Sequence, residues 1–524
     1  MDEQTGAPSI RDRFDLTWSI TSVIVIALFF PLLRLVVSTV ISVIDDTSEI
    51  GLLLPLGRRF TLLVNSLGLA GSVAISVSVI GFLCGTLLLG ENSGVLRAIK
   101  WCILLTAPVP PYIHALTWSN FIRLIQSLLG EYGVWMQLSG FPMSYCVNVL
   151  AYLPLGVGLA IVGLSLIEAP AVEAARMVRE DFDVFTRGVL PLTLPTLFTS
   201  LGLVFILVIT DFSVPTLYSF NVYSLEVFSE FSASNNPSNS LLLSIPMVLV
   251  SLAILVHSVR GLRMTAQSSS VGTISSFRDW SLPPWFHMLQ QVALGVTVLQ
   301  VTLLVGGLVI ETGSLSSLGY ALTAAGDDIV TSSLISASSA LMGAALGYVL
   351  ADRLEENGHW WLLISIPLAL PASLIGISMI QTYTSLFSPL YGTMWMPIIA
   401  SVTRFMPISA IIVYAQKRRM DRLLFDAADL FAEDANEALL RVKLPLQRYG
   451  IVTSALIVFA LSLGELGGTL LVIPPGRETL TIRIFNYLHY GGTEEVAGLC
   501  LALVAVMMTL TGVAGYAYSR SASK

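Results

Sequence analysis

Charge is what this chain has least of. Only 12% of its 524 residues are Asp, Glu, Lys or Arg, against 55% hydrophobic. Lysine is reduced to Lys100, Lys417, Lys443 and Lys524, and none of them follows a glycine. A G-K-[ST] phosphate loop is therefore missing, so the chain is not itself a P-loop ATPase. The four cysteines, Cys84, Cys102, Cys146 and Cys500, are scattered through apolar segments. They show neither metal-ligand spacing nor pairing logic, and packing is their expected role. The five histidines are equally dispersed, so neither a metal site nor a catalytic constellation is expected. A net charge of −7 argues against nucleic acid as a partner.

What the chain has in quantity is long apolar runs. Each is about twenty residues or more, enough to cross a bilayer as a helix. The pattern places spans at roughly 16–44, 62–90, 98–118, 142–167, 194–215 and 239–260. A second set falls at roughly 285–311, 329–351, 359–381, 393–416, 450–473 and 495–518. An extra interfacial helix is expected within 119–141. Arg11 and Arg13 precede the first run, as in a signal peptide. That run is too long for one and lacks a small-residue cleavage site, so it reads as a retained span. The serine-rich stretch 265–284, TAQSSSVGTISSFRDWSLPP, reads as a linker between a first half, 1–264, and a second, 285–524.

The basic residues set an orientation. With the N-terminus inside, the inner segments collect basic residues over the outer ones by roughly four to one, the outer set being Arg58, Arg59, Arg123, Arg477 and Arg483. Both termini are then expected on the cytoplasmic side of the membrane.

Two polar stretches stand out between apolar ones. In 426–445, DAADLFAEDANEALLRVKLP, residues Phe425, Ala428, Ala432, Ala435, Leu439 and Val442 recur at steps of three and four. That spacing predicts one helical face, with Asp426, Asp429, Glu433 and Glu437 on another. Leu444-Pro445 is expected to end the helix. A second copy, 173–191, reads EAARMVREDFDVFTRGVLP. Its predicted apolar face is Ala171, Ala175, Val178, Phe182, Phe185 and Val189, with Arg176, Glu180, Asp183 and Arg187 alternating in sign on the polar side.

The copies are in register. Pro154 and Pro407 differ by 253, as do Glu173 and Asp426, while Pro191 and Pro445, and Asp211 and Glu465, differ by 254. One residue is therefore lost from the first half between its anchors. Six spans separate equivalent points, so the repeat is parallel, related by an axis along the membrane normal. Asp211 and Glu465 each follow their Leu-Pro by about twenty residues, or roughly 30 Å of helix. A carboxylate at such depth is costly unless it faces a cavity or a partner. Both are candidate pathway residues, with Gly464 and Gly467 beside Glu465. The competing reading makes them helix caps or interfacial groups. Arg404 and Arg34 are candidate partners for carboxylates, or interfacial residues. Pro108, Pro110, Pro111, Pro367 and Pro371 interrupt the third and ninth spans at matching places, as gate-forming helices would.

These stretches resemble the EAA loop of type I ABC importer permeases, the membrane subunits of binding-protein-dependent uptake systems. Glu173-Ala174-Ala175 with Pro191, and Asp426-Ala427-Ala428 with Pro445, match the two ends of that pattern. The usual central glycine is Arg179 in one copy and Ala432 in the other, and Asp426 replaces glutamate. TDFSVPTL and LGELGGTLLVIPPGRETLTIRIFNYLHYG look like the corresponding regions of permeases for ferric iron and 2-aminoethylphosphonate, with thiamine permeases as relatives. The resemblance implies an all-α polytopic membrane protein of about twelve transmembrane helices, a fused permease of two homologous six-helix halves. It also implies an ABC ATPase dimer docked on the two cytoplasmic stretches and an extracytoplasmic solute-binding protein. ATP is then used by the partner, with no cofactor in this chain, and the location is the plasma (inner) membrane. The alternative is an ion-coupled secondary transporter using Asp211 and Glu465.

Overall fold

The computed structural model describes residues 10–45, 47–89, 93–129, 139–267, 280–490 and 494–522. Helices account for nearly all of them, and no strand occurs among the described residues. In a lipid core every backbone N–H and C=O must be satisfied within the segment, and the helix does this alone.

The first half runs α1 (Ile10–Asp45), α2 (Arg58–Leu88), α3 (Gly94–Leu105), α4 (Pro111–Leu129) and α5 (Gly140–Ser165). Short α6 (Ala169–Arg176) and α7 (Asp181–Val184) lead into α8 (Leu190–Thr210), followed by α9 (Ser213–Leu217), α10 (Tyr223–Ser234) and α11 (Pro237–Gln267). The second half repeats the order: α12 (Pro284–Thr312), α13 (Leu315–Ala324), α14 (Gly326–Glu356), α15 (Gly358–Ala369), α16 (Ala372–Ser385) and α17 (Trp395–Lys417). Short α18 (Arg422–Phe431) and α19 (Ala435–Glu437) lead into α20 (Leu444–Leu463), then α21 (Thr469–Val472), α22 (Leu480–Tyr490) and α23 (Glu494–Ala522).

Among the described residues, ten helices are long and apolar enough to cross a membrane, and α15–α16 makes an eleventh if counted as one span. That pair bends by 92° at Leu370 and Pro371. The span expected at 98–118 is instead divided into α3 and α4, with the break at 106–110. Pro108, Pro110 and Pro111 supply the reason, since proline removes an N–H and clashes with the preceding turn. The interfacial helix expected in 119–141 is the continuation of α4 as far as Leu129, and 130–138 lies outside the described residues. Much of the expected linker, 268–279, lies outside them as well.

The same helix crossing builds each half. Where α2 meets α5, a Cβ on Gly81 would lie 2.6 Å from the Gly156 carbonyl carbon, and one on Gly156 would lie 2.8 Å from the Val77 oxygen. Only glycine allows this approach. In the second half Gly347 of α14 meets Ser409 and Ala410 of α17, and a Cβ there would lie 2.9 Å from the Ala410 nitrogen. Ser409 is 253 residues after Gly156, so the crossing obeys the repeat.

Each half lends its first helix to the other. Helix α12 packs on α2 and α4, and α1 packs on α16. Side-chain bonds fix both seams. Gln290 Nε2 donates to Thr86 Oγ1 at 2.9 Å. Arg34 donates to the carbonyls of Gln381 and Thr382, each at 3.1 Å, and Gln381 Nε2 donates to Ser38 Oγ at 2.7 Å. Arg34 thus pairs with backbone and not with a carboxylate.

Candidate functional site

The two polar stretches are not single helices. In the first, α6 ends at Arg176 and α7 begins at Asp181; in the second, α18 ends at Phe431 and α19 begins at Ala435. Each second limb then passes through a π-helical turn, Phe185–Val189 or Ala438–Lys443, straight into the long helix α8 or α20. Pro191 and Pro445 sit in the first turn of those long helices, so neither proline terminates its stretch. The widened turn explains this. Proline lacks the N–H for the carbonyl four residues back, and its ring crowds that carbonyl. With i→i+5 bonding just before it, Leu190 N–H reaches the Phe185 oxygen and Leu444 N–H reaches the Leu439 oxygen.

The breaks also correct the expected faces. Phe185 and Val189 are buried, whereas Ala171, Ala175 and Val178 are exposed. Phe425 and Ala428 are buried under α18, while Glu173, Ala174, Asp426 and Ala427 are exposed. Arg179 and Ala432 both fall in the break. Neither has a positive φ, so the absent glycine costs no strain. Asp181 and Ala435, which open the second limbs, differ by 254, so the extra residue of the second copy lies before its second limb.

The break presents an apolar tip in both copies. Met177 and Val178 are 87% and 84% exposed; Leu430 and Phe431, each 253 residues later, are 76% and 82% exposed. Ion pairs stiffen the surrounding turns. Asp183 takes both Arg179 and Arg187, and Arg176 grips Asp181 at 2.7 Å. In the second copy Lys443 pairs with Asp429 and Arg441 with Glu437.

Both elements lie at the same end of the bundle. A Cβ on Gly261 of α11 would meet the oxygen of Pro195, one turn beyond Pro191. Two residues on, the Arg263 guanidinium approaches Gly358. Gly358 follows the end of α14, where Glu355 takes Lys417 at 3.0 Å. Lys417 in turn lies over the Phe425 ring. Among the described residues, a strap from the chain between the halves reaches the first element. Ser281 N–H donates to Asp181 Oδ2 at 2.7 Å, Arg176 stacks over Trp280, and Phe185 packs edge-on to Phe286.

At the far ends of α8 and α20 stand Asp211 and Glu465. Asp211 Oδ1 accepts from Ser213 N at 3.1 Å and Ser213 Oγ at 2.7 Å, and Oδ2 accepts from Val214 N at 3.3 Å. Glu465 Oε1 accepts from Gly468 N at 2.9 Å and Arg404 Nη1 at 3.0 Å, and Oε2 accepts from Thr469 N at 2.9 Å. Each carboxylate therefore caps the short helix that follows it, α9 or α21. Four chain breaks meet here. A Cβ on Gly464 would meet Pro110 at 2.6 Å, and one on Gly467 would lie 3.0 Å from Ala372 and 3.6 Å from the Phe212 ring. Close approach is what those glycines provide. Sequence reasoning missed Tyr152, which lies within electrostatic range of both Asp211 and Arg404. Its residue type gave no signal; only its place two residues before Pro154 did.

No family model matches the chain. Individual relatives do. A Fe(3+)-transport system permease protein of Haemophilus influenzae is 23% identical over 495 residues, covering 89% of this chain and 92% of that protein. A 2-aminoethylphosphonate transport system permease protein of Salmonella typhi, so described as putative, is 28% identical over 195 residues, 36% of this chain and 73% of its own. A putrescine transport system permease protein of Escherichia coli is 22% identical over 225 residues, 41% of this chain and 76% of its own. Its relatives are ABC transporter permeases. Those matched over 195 and 225 residues are half-length, so the permease described here is the fused form.

In this permease the Glu465 side chain is 4% exposed and that of Arg404 23%. Removing the carboxylate would orphan a partly buried guanidinium and uncap α21. Breaking a buried pair costs about 3–5 kcal/mol, less here because Arg404 keeps some solvent. Glu465→Ala is expected to lower the thermal stability of the purified permease more than Asp211→Ala does, since Asp211 has no charged group in its hydrogen-bond shell. Equal losses in a detergent melting experiment would refute that ranking.

Proposed function

We propose that this permease forms the translocation pathway of an ATP-driven importer in the inner membrane. The observation that carries the reading is the pair of apolar tips, Met177-Val178 and Leu430-Phe431, presented in register at one end of the bundle. Isolated exposed hydrophobics are ordinary, but a repeated pair on polar elements marks a contact surface. We assign that end to the cytoplasm, with both termini inside, and the contact to the two subunits of an ABC ATPase dimer. A solute-binding protein delivers cargo at the opposite face.

Helices α5 and α17 are the most buried of the ten spans, yet each keeps partly exposed residues, some of them at steps of three and four. On α5 they include the stripe Tyr152, Leu155, Leu159 and Val162; on α17 they include Arg404, Ile408, Ile412 and Ala415. Three of these pairs are 253 residues apart. In this reading the stripes line the pathway, Asp211 and Glu465 hold its gate, and Gly464 and Gly467 let the broken helices close on it. ATP binding by the partner draws the elements bearing Glu173–Pro191 and Asp426–Pro445 together and rocks the halves. The cargo we assign first is ferric iron, because the relative matched along nearly the whole chain is a Fe(3+) permease. Aminoethylphosphonate and thiamine-like solutes come next.

The test is uptake of radioactive iron by cells making the full chain, with and without the partner ATPase. Uptake is expected to stop when the ATPase is deleted and to persist when the proton gradient is collapsed. Uptake that survives ATPase deletion and follows the gradient would favour an ion-coupled carrier using Asp211 and Glu465.

A further inference from the structure

We infer that Arg404 reads the solute in the pathway and that it takes an oxyanion, a carboxylate, phosphonate or phosphate group carried by the cargo. The inference rests on the pathway assigned to the α5 and α17 stripes. A guanidinium offers five N–H donors. Among the described residues Arg404 spends one of them in a hydrogen bond, on Glu465 at 3.0 Å. The side chain is not sealed in, being 23% exposed against 4% for its partner. Glu465 thus anchors the guanidinium through one N–H, and its other donors make no hydrogen bond among the described residues.

The carboxylates are in a different condition. Both oxygens of Asp211 and both of Glu465 already accept bonds from the helices they cap or from Arg404. Unspent bonding capacity is concentrated on the guanidinium. Tyr152, partly exposed on α5, places a phenolic hydroxyl in the other stripe. Planar bidentate recognition of an oxyanion is what arginine does best. Bare metal fits poorly. Among the described residues no group of three or more His, Cys, Asp or Glu side chains is placed to hold a metal ion. If iron is the cargo, it crosses with its anionic ligands still attached.

The experiment uses the purified full chain in lipid nanodiscs, with no ATPase and no binding protein. Binding of inorganic phosphate, 2-aminoethylphosphonate, ferric citrate and putrescine is measured by calorimetry and by the shift in melting temperature. The three oxyanion-bearing probes are expected to bind and putrescine not to. Arg404→Gln should weaken oxyanion binding at least tenfold. Because that change also leaves Glu465 unpaired, the double variant Arg404→Gln/Glu465→Gln restores an uncharged pair and should lose binding to the same degree. Oxyanion binding unchanged in either variant, putrescine binding alone, or no binding by the parent chain would each overturn the assignment. The importer reading fails separately, in the uptake experiment, which this measurement does not touch.

Discussion

Replacing Leu430 and Phe431 with aspartate is expected to stop ATP-driven uptake while the chain still accumulates in the membrane at its usual level. Both side chains are almost wholly exposed, at 76% and 82%, so the fold loses nothing when they go. A docked partner would bury them. Burying two large apolar side chains contributes about 3–6 kcal/mol before the costs of association are counted. Even about 3 kcal/mol retained would be roughly a hundredfold in docking affinity. Aspartate would add a desolvation cost at the same surface. The equivalent change at Met177 and Val178 should act the same way. Two measurements check this: iron uptake in whole cells, and recovery of the ATPase with the tagged permease. Normal recovery of the ATPase with both tips changed would remove the surface from the mechanism.

Gly156→Leu should prevent the chain from accumulating at all. Its Cβ would already meet the Val77 side chain and backbone oxygen, and three further carbons have nowhere to go at the α2–α5 crossing. Overpacking typically costs about 1–3 kcal/mol, and more where the obstacle is backbone. Helices in lipid gain little from hydrophobic burial and depend on such close packing. Gly347→Leu should do the same at the α14–α17 crossing, whereas Gly295→Leu, with open space around its Cβ, should be tolerated. Quantitative immunoblotting of membrane fractions distinguishes these outcomes. Wild-type levels of the Gly156→Leu protein would mean that α2 and α5 do not cross there.

Much of the architecture was legible because lipid leaves the backbone few choices. Apolar runs of span length gave the helices, and the 253-residue offset gave the repeat. What periodicity could not show was interruption. The six apolar positions in 425–442 fit one helical face, yet Ala432 sits in a break, and a step of three or four carries across a short break almost unchanged. Likewise Pro191 and Pro445 read as stops because a proline usually is one, and only a π turn ahead of it makes continuation possible. The carboxylates were found by depth and register. Their work as caps was the competing reading, and Ser213 and Thr469, two and four residues on, are its local signal. The Arg404–Glu465 bond was within reach of the sequence only as one pairing among several.

The strap over the first polar element would have a mechanical consequence if that element docks the proposed ATPase. Ser281 and Trp280 tie Asp181 and Arg176 to the root of α12, a helix that belongs to the second half yet lies against the first. Force applied at Met177 is thereby shared between the two bodies, whereas force at Phe431 enters through α18 and the Lys417–Glu355 corner of one body. Two identical engine subunits would then push on unequal levers. Under the proposed mechanism, the fused chain would answer one stroke unequally in its two halves, as a pair of separate, identical subunits could not.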